Sequence, residues 1–377
     1  MLVQTAGYWP QKSFLVGCAS YLVGIANLSM TKVYVGMSGG VDSSVTAALL
    51  VEAGYDVTGV YMKNWSRDLP GARCPWAEDL ADARRVAVGL GIDLKIYDFE
   101  AEYKQKVVDY MLAEYQAGRT PNPDIMCNQE IKFKLFLETA MGDGADMIAT
   151  GHYARTNKTQ LLRAKDDKKD QTYFLYRVTK EALEKTLFPL GELLKSQVRK
   201  LAHERGLATA NKKDSVGICF VGQVGIEEFL SQYIDIKPGR IIERESSKEL
   251  GWHNGAIFYT IGQRHGLNLG GGLPYYVVGK NIDKNEVYVS RDLNQLDLWI
   301  EKIILKDLHW INQAPDINKV YQIRTRHQAP LVEAQIKDYN TQRLVLNLDS
   351  PQRAITSGQS VVFYDGSVCL GGGIVAD

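Results

Sequence analysis

Residues 33–50, VYVGMSGGVDSSVTAALL, decide the fold. Val33, Tyr34 and Val35 form a short apolar run of the kind that makes a buried strand, and Val45, Ala47, Ala48, Leu49 and Leu50 recur with helical spacing. Between them lie Gly36, Met37, Ser38, Gly39, Gly40, Val41, Asp42, Ser43 and Ser44. Small residues let a backbone turn sharply and approach an anion, and the free N–H groups of a helix's first turn then face it. A strand, a glycine turn and a helix start therefore predict a phosphate site. Gly-Gly after a strand is often only a tight turn, and a single Ser or Asp there is often only an N-cap. A cap needs one such residue, whereas Ser38, Asp42, Ser43 and Ser44 surround these glycines. No Gly-Lys-Ser/Thr follows, so the loop is not a Walker A motif.

Outward from the loop, the first helix is expected to run to about Ala53 and stop at Gly54. A second buried strand follows over Val57 to Met62, giving a βαβ unit. Trp76 to Leu90 has helical spacing and meets Gly91, Leu94 to Phe99 reads as a third strand, and Tyr103 to Tyr115 as a helix. Met147 to Thr150 is a strand ahead of Gly151 and His152. Such alternation predicts an α/β fold with a doubly wound parallel sheet and ligands at the carboxyl ends of its strands. Ser38, Met62 and Gly151-His152 should share one rim.

The 377 residues are too many for one compact core and suggest several domains. Lys plus Arg number 44 and Asp plus Glu 44, so any nucleic-acid surface must be local rather than global. Lys195, Arg199, Lys200, Arg205, Lys212 and Lys213 form a basic, helical stretch that is either a solvated face or a set of phosphate contacts. Cys18, Cys74, Cys127, Cys219 and Cys369 lie far apart with no Cys-x-x-Cys, which points to reduced thiols and a cytoplasmic setting rather than a disulfide or zinc scaffold. No protein metal site is expected. Residues 1–30 read as an N-terminal extension: Phe14 to Leu28 is mostly apolar, with a start at Met30 favoured over a signal or transit segment. No later stretch has membrane length.

The catalytic domain is expected over residues 31–217. Beyond Phe220 glycine-rich turns at Gly262, Gly266 and Gly270 to Gly272 mark a small central domain, 218–284. From Asn285, alternating segments at Val287 to Val289, Tyr321 to Arg324, Arg343 to Leu348 and Ser360 to Tyr364 predict a small β-barrel over 285–377.

Two cysteines stand out. Cys127 follows Pro121, Pro123 and Asp124, and a helix is expected from Glu130, so its thiol would lie at a helix N-terminus, where the dipole favours thiolate. Asp124 can exchange a proton there. Cys219, between Ile218 and Phe220, reads on its own as a core cysteine.

The loop Gly36 to Ser43 resembles the pyrophosphate loop, Ser-Gly-Gly-x-Asp-Ser, of the PP-loop ATP pyrophosphatases. With Met62 to Trp65, Gly118 to Asp124, Cys127-Asn128, Ile131 to Phe133, Ala149 to Tyr153, Lys169 to Gln171, Gly217 to Phe220 and Gly262 to Arg264, taken in order, the chain from about residue 32 onward resembles the tRNA-specific 2-thiouridylases. That resemblance implies ATP and Mg2+ as cofactors and tRNA as partner, with Lys, Glu and Gln isoacceptors expected. It also implies a sulfur donor protein, either a cysteine desulfurase or a relay. It implies that Gly36, Met37, Ser38, Gly39, Gly40, Val41, Asp42, Ser43, Met62 and Gly151 bind ATP. Cys219 would carry a persulfide, Cys127 would be the second catalytic thiol and Asp124 the acid/base. The two thiols would end as a disulfide, or Cys127 would free sulfide. The implied tRNA contacts are Asn122, Pro123, Asp124, His152, Lys169, Asp170, Gln171, Arg326, His327 and Gln359.

Three residues depart from the family pattern: His327 where Tyr is expected after the Arg, Gln129 where a basic residue usually follows Cys-Asn, and Val216 in place of Thr. They bear on RNA contacts, not on the ATP loop or the thiols. Two other readings share parts of the pattern. A PP-loop enzyme could activate a small-molecule carbonyl, or a nucleotide- or RNA-binding module could use its cysteines only in the core.

Overall fold

The computed structural model describes residues 31–68, 74–157, 159–214, 226–235, 237–270, 272–292 and 298–377. Strand β1 (Lys32–Gly36) leads through the glycine loop into α1 (Val41–Glu52) and back to β2 (Asp56–Lys63), which lies parallel to β1. Helix α2 (Trp76–Leu90) ends at Gly91 in the left-handed conformation, φ 67°, and returns the chain to β3 (Asp93–Asp98). Strands β4 (Met147–Ala149) and β7 (Thr186–Leu187) complete a parallel sheet of order β3-β2-β1-β4-β7. Val33, Tyr34 and Val35 are all buried, because helices cover both faces of this sheet and no alternation of polarity is possible. Each fully buried valine contributes roughly 1.5–3 kcal/mol.

The order runs outward from β1 in both directions, so the topological switch falls between β1 and β4. A crevice for ligands opens there, at their carboxyl ends. The expected strands of this half and the ends of α1 and α2 appear within one or two residues, whereas the helix expected from Tyr103 begins three residues earlier, at Glu100. A long helical segment, α3 (residues 100–116), has π-type bonding over Lys104–Val108.

One expectation changes. The helix assigned from Glu130 begins at Pro123 instead: α4 (residues 123–142) opens with Asn122 as N-cap and Pro123 in its first turn, and is π-helical over Cys127–Leu135. Proline lacks only an N–H that a first turn leaves unpaired anyway, so it starts this helix rather than stiffening an extended approach. Cys127 is therefore in the second turn of α4, beyond the first-turn N–H groups that the helix-terminus argument invoked.

The middle unit is a four-stranded sheet, β10 (Tyr276–Asn281), β11 (Glu286–Ser290), β8 (Gly239–Glu243) and β9 (Glu249–His253) in that order. Val287 to Val289, expected with the barrel, thus belongs here: β11 pairs antiparallel with β10 and parallel with β8. Period-two alternation marks a half-buried strand but does not say which sheet receives it.

The C-terminal barrel has six strands: β12 (Trp299–Trp310), β13 (Val320–Arg324), β14 (Val332–Tyr339), β15 (Leu344–Arg353), β16 (Ser360–Asp365) and β17 (Val368–Val375). It closes where β12 pairs with β17. A hairpin from the catalytic half, β5 (Ala154–Asn157) and β6 (Gln160–Arg163), adds to β17 through Leu161–Cys369 and Leu162–Val368. The catalytic half and the barrel are thus joined by a shared sheet. Among the described residues no helix is long and apolar enough to cross a membrane.

Candidate active site

The glycine loop is held open by its own hydroxyls. Ser43 Oγ donates to Gly40 O (3.1 Å), accepts from Ser38 N (3.2 Å) and lies 3.2 Å from Ser38 Oγ. Ser44 Oγ donates to Gly40 O (2.8 Å) and accepts from Thr209 Oγ1 (2.9 Å). Gly40 is the N-cap of α1 with no side-chain cap bond, so the first turn keeps donors for an anion. Gly39 has φ 71°, and a Cβ on it would sit 2.2 Å from Asp79 O, so no other residue fits.

The other predicted nucleotide residues converge on this loop. A Cβ on Gly151, just after β4, would meet Ser43 N at 2.8 Å, so the end of β4 touches the first turn of α1. Met37 N donates to Val60 O, and Met62 Cε comes within 3.0 Å of a Cβ placed on Gly36. Val41 is buried beneath the turn.

Asp42 is bound from two sides. Lys195 Nζ donates to both its oxygens, at 2.7 and 2.8 Å, and Tyr153 OH donates at 2.9 Å. Lys195 also pairs with Asp214 at 2.9 Å, and Asp214 takes Lys169 and Arg199 as well. Burial pushes the Asp214 carboxyl up, but the hydrogen bonds from Lys195 and Lys169 outweigh it and bring its pKa down to about 2. Sequence reading did not single out Lys195 as a site residue. The available signal was its place: it opens the helix Lys195–Glu204, where the dipole disfavours a cation, so a lysine there implies a nearby acid. Lys195→Met would strand the Asp42 charge beside the phosphate loop. ATP-dependent pyrophosphate release should then fall on the order of 10²-fold. Wild-type steady-state rates would show that the pair serves stability alone.

The basic stretch is largely turned inward. Lys212 pairs with Asp79 and Asp82, Arg205 with Glu52 and Arg199 with Asp214, while Lys213 is exposed. Lys169 and Lys212 are thus already neutralised by protein carboxylates.

Cys127 is buried (1% exposed) among the apolar side chains of the main core. Asp124, in the same helix, is half-buried. Cys219 and Val216 lie outside the described residues. Among the other thiols, Cys74 donates to Trp65 O, and burial raises its pKa. Cys369 is fully enclosed, and burial raises its pKa too.

The expected tRNA contacts divide. Asn122 Oδ1 caps α4, accepting from Asp124 N and Ile125 N, and Pro123 is buried. The segment 118–122 sits where the three units meet. A Cβ on Gly118 would touch Ile282, Thr120 Oγ1 lies 3.2 Å from Thr260 Oγ1, and Thr120 N donates to Ser357 O. Asp170 is fully buried and binds Ala164 N, Thr172 Oγ1 and Arg324 Nη1 (3.0 Å), so it ties the catalytic half to the barrel and faces no RNA surface. Gln171 Oε1 accepts from Tyr153 N. Arg326 is exposed and donates to Ala354 O, Gln359 Oε1 accepts from Thr356 N, and His327 is half-buried against Phe174.

His152 is buried against Phe133 and Phe188, with Nδ1 2.8 Å from Thr150 Oγ1. Burial, aided by Lys132, holds its pKa well below 6.5, so a neutral ring occupies the interior instead of a phosphate-facing cation. Burial likewise lowers His253, His309 and His327. Because the folded-state values lie below the unfolded value of 6.5, this stabilisation is complete above pH 6.5 and is lost as pH falls below it. The urea midpoint is expected to drop between pH 7.5 and 5.5, and His152→Gln to flatten that slope. An unchanged slope in the variant would remove His152 from this account.

Comparison with known proteins agrees with this arrangement. Residues 31–223 match the family described as "tRNA methyl transferase HUP domain", 227–291 "tRNA methyl transferase PRC-barrel domain" and 300–375 "Aminomethyltransferase beta-barrel domain". The tRNA-specific 2-thiouridylase MnmA of Bacillus cytotoxicus is 49% identical over 353 residues, covering 92% of this chain and 94% of that protein. Those of Bacillus thuringiensis (strain Al Hakam) and Bacillus anthracis match with the same identity and coverage. The family descriptions speak of methyl transfer and the relatives' names of thiolation; identity near one half over almost the whole length gives the relatives the greater weight. The chain belongs to the tRNA-specific 2-thiouridylase family.

Proposed function

We propose that the crevice between β1 and β4 binds ATP and activates a tRNA uridine at C2 for replacement of oxygen by sulfur. The observation that carries this reading is the contact of Gly151 with the first turn of α1, which frames an anion site at the topological switch. An amide-like carbonyl is a poor electrophile. Bonding its oxygen to the α-phosphorus, with loss of pyrophosphate, gives C2 an AMP leaving group.

The loop N–H groups and Ser43 hold the phosphates, and Lys195 neutralises Asp42 so that its charge does not repel them. Asp42 is the loop carboxylate that would hold magnesium, sharing its charge with Lys195, since the ion favours one or two carboxylates together with substrate oxygens. When bound, it offsets charge on the departing pyrophosphate. Among the described residues no three His, Cys, Asp or Glu side chains could hold a metal by themselves.

In the sulfur step the terminal sulfur of a Cys219 persulfide bonds to C2, and the C2–O bond breaks to release AMP. Cys127 then attacks Cys219 Sγ, and the electron pair of the broken S–S bond passes to the uridine sulfur. The product is a Cys127–Cys219 disulfide that an external thiol must reduce. In the alternative route Cys127 frees sulfide first, which then attacks C2. Asp124, which shares a helix with Cys127, exchanges the proton in this reading. A sulfur donor protein recharges Cys219, and Lys, Glu and Gln tRNAs are the proposed substrates.

Pyrophosphate release from ATP, measured with and without bulk tRNA, tests the reading. Release that depends on RNA is expected. RNA-independent release would point to a small-molecule substrate, and no release would point to a binding module.

A further inference from the structure

Cys127 and Asn128 are the first two residues of a π-helical stretch, Cys127–Leu135, an uncommon geometry that concentrates at functional sites. Asn128 is 2% exposed and donates from Nδ2 to Phe174 O at 3.1 Å. Its Oδ1 is buried and accepts no bond among the described residues. A buried amide oxygen without a partner destabilises the fold, a penalty that an apolar residue packed there would avoid.

Phe174 lies in a short helix, α5 (Thr172–Leu175), that the barrel holds from the other side. Tyr173 OH donates to Ser360 O (2.9 Å), Tyr176 OH lies 3.2 Å from Ser360 Oγ, and Asp170, at the head of α5, pairs with Arg324. The Phe174 ring centre is 4.4 Å from that of His327. One chain of contacts therefore runs from the barrel through α5 to the residue beside Cys127.

We propose that Asn128 is a positioning residue for sulfur transfer: its amide fixes the rotational setting of the Cys127 turn against α5, and the barrel fixes α5. The inference rests on the reading of Cys127 as the second thiol. Attack on a persulfide needs the incoming sulfur in line with the breaking S–S bond, so a small rotation of this turn is felt in the rate rather than in binding. The Asn128 amide bonds to Phe174 O, and adenylation should not depend on it.

In Asn128→Ala, thiolation kcat is expected to fall on the order of 10²-fold, the usual cost of misplacing a reacting group by about an ångström. The tRNA KM and the RNA-dependent pyrophosphate release should stay close to wild type. Tyr173→Phe, which removes only the hydroxyl bound to Ser360, should shift the same ratio of thiolation to pyrophosphate release in the same direction by less. It also serves if Asn128→Ala fails to fold. Equal loss of both activities in these variants, or full thiolation in both, overturns the proposal. Should Cys127→Ser itself still thiolate, the underlying reading fails instead. If that variant is dead and the Asn128 and Tyr173 variants are normal, only the positioning role is lost.

Discussion

Cys127→Ser and Cys219→Ser are each expected to abolish 2-thiouridine formation, a loss on the order of 10⁴-fold or more, as when a reacting group is removed outright. RNA-dependent pyrophosphate release should persist in both. Serine keeps approximately the size of cysteine but cannot carry or accept a transferable sulfur, so the loss is chemical. Cys74→Ser and Cys369→Ser should leave thiolation intact. The Cys74 thiol already donates to the Trp65 carbonyl, and Cys369 is buried on β17 where that strand pairs with Leu161 of β6, with burial raising the pKa of both thiols. Nucleoside mass spectrometry of the tRNA, run beside a pyrophosphate assay, separates the two steps. A Cys127→Ser protein that thiolates at the wild-type rate would end the two-thiol mechanism. If the disulfide route holds, turnover without added reductant stops after about one cycle.

Asp170→Ala should cost about 3–5 kcal/mol of stability, because it leaves the Arg324 guanidinium buried without its counter-charge. Asp170 is fully buried, Arg324 nearly so, and the pair spans the contact between catalytic half and barrel. The barrel should then become susceptible to limited proteolysis, and the urea midpoint should fall. Asp170→Asn keeps an acceptor for Ala164 N and Thr172 but loses the charge, so it should show a smaller loss in the same direction. If Asp170→Ala were as stable as wild type and lost only tRNA affinity, Asp170 would be an RNA contact after all.

The same residue shows where sequence reading reaches its limit. Lys169-Asp170-Gln171 is a polar run of the kind that ordinarily lies at a surface, and the family resemblance implies an RNA contact there. Whether such a carboxylate meets solvent or a guanidinium depends on Arg324, 154 residues away, and on a hairpin that enters a barrel strand. The basic stretch behaves alike: Lys195, Arg199, Arg205 and Lys212 read as one charged face, yet each meets an acid, Lys195 and Arg205 at the two ends of α1, Lys212 on α2, and Arg199 at Asp214, which Lys195 shares. A run of charges along the chain gives its sign but not its counter-ions.

The sequence by itself determined the βαβ unit, the glycine loop and its placement at a helix start. Strand and helix periodicity, left-handed glycines and first-turn donors are local properties that neighbouring residues settle among themselves. The tertiary structure alone decided that Gly151 closes the crevice onto α1, that Lys195 neutralises Asp42, that β11 joins the middle sheet, and that the barrel grips the segment beside Cys127. These depend on pairings between distant segments. Such pairings follow from burying apolar faces and compensating enclosed charges across the whole chain, and no local spacing encodes them.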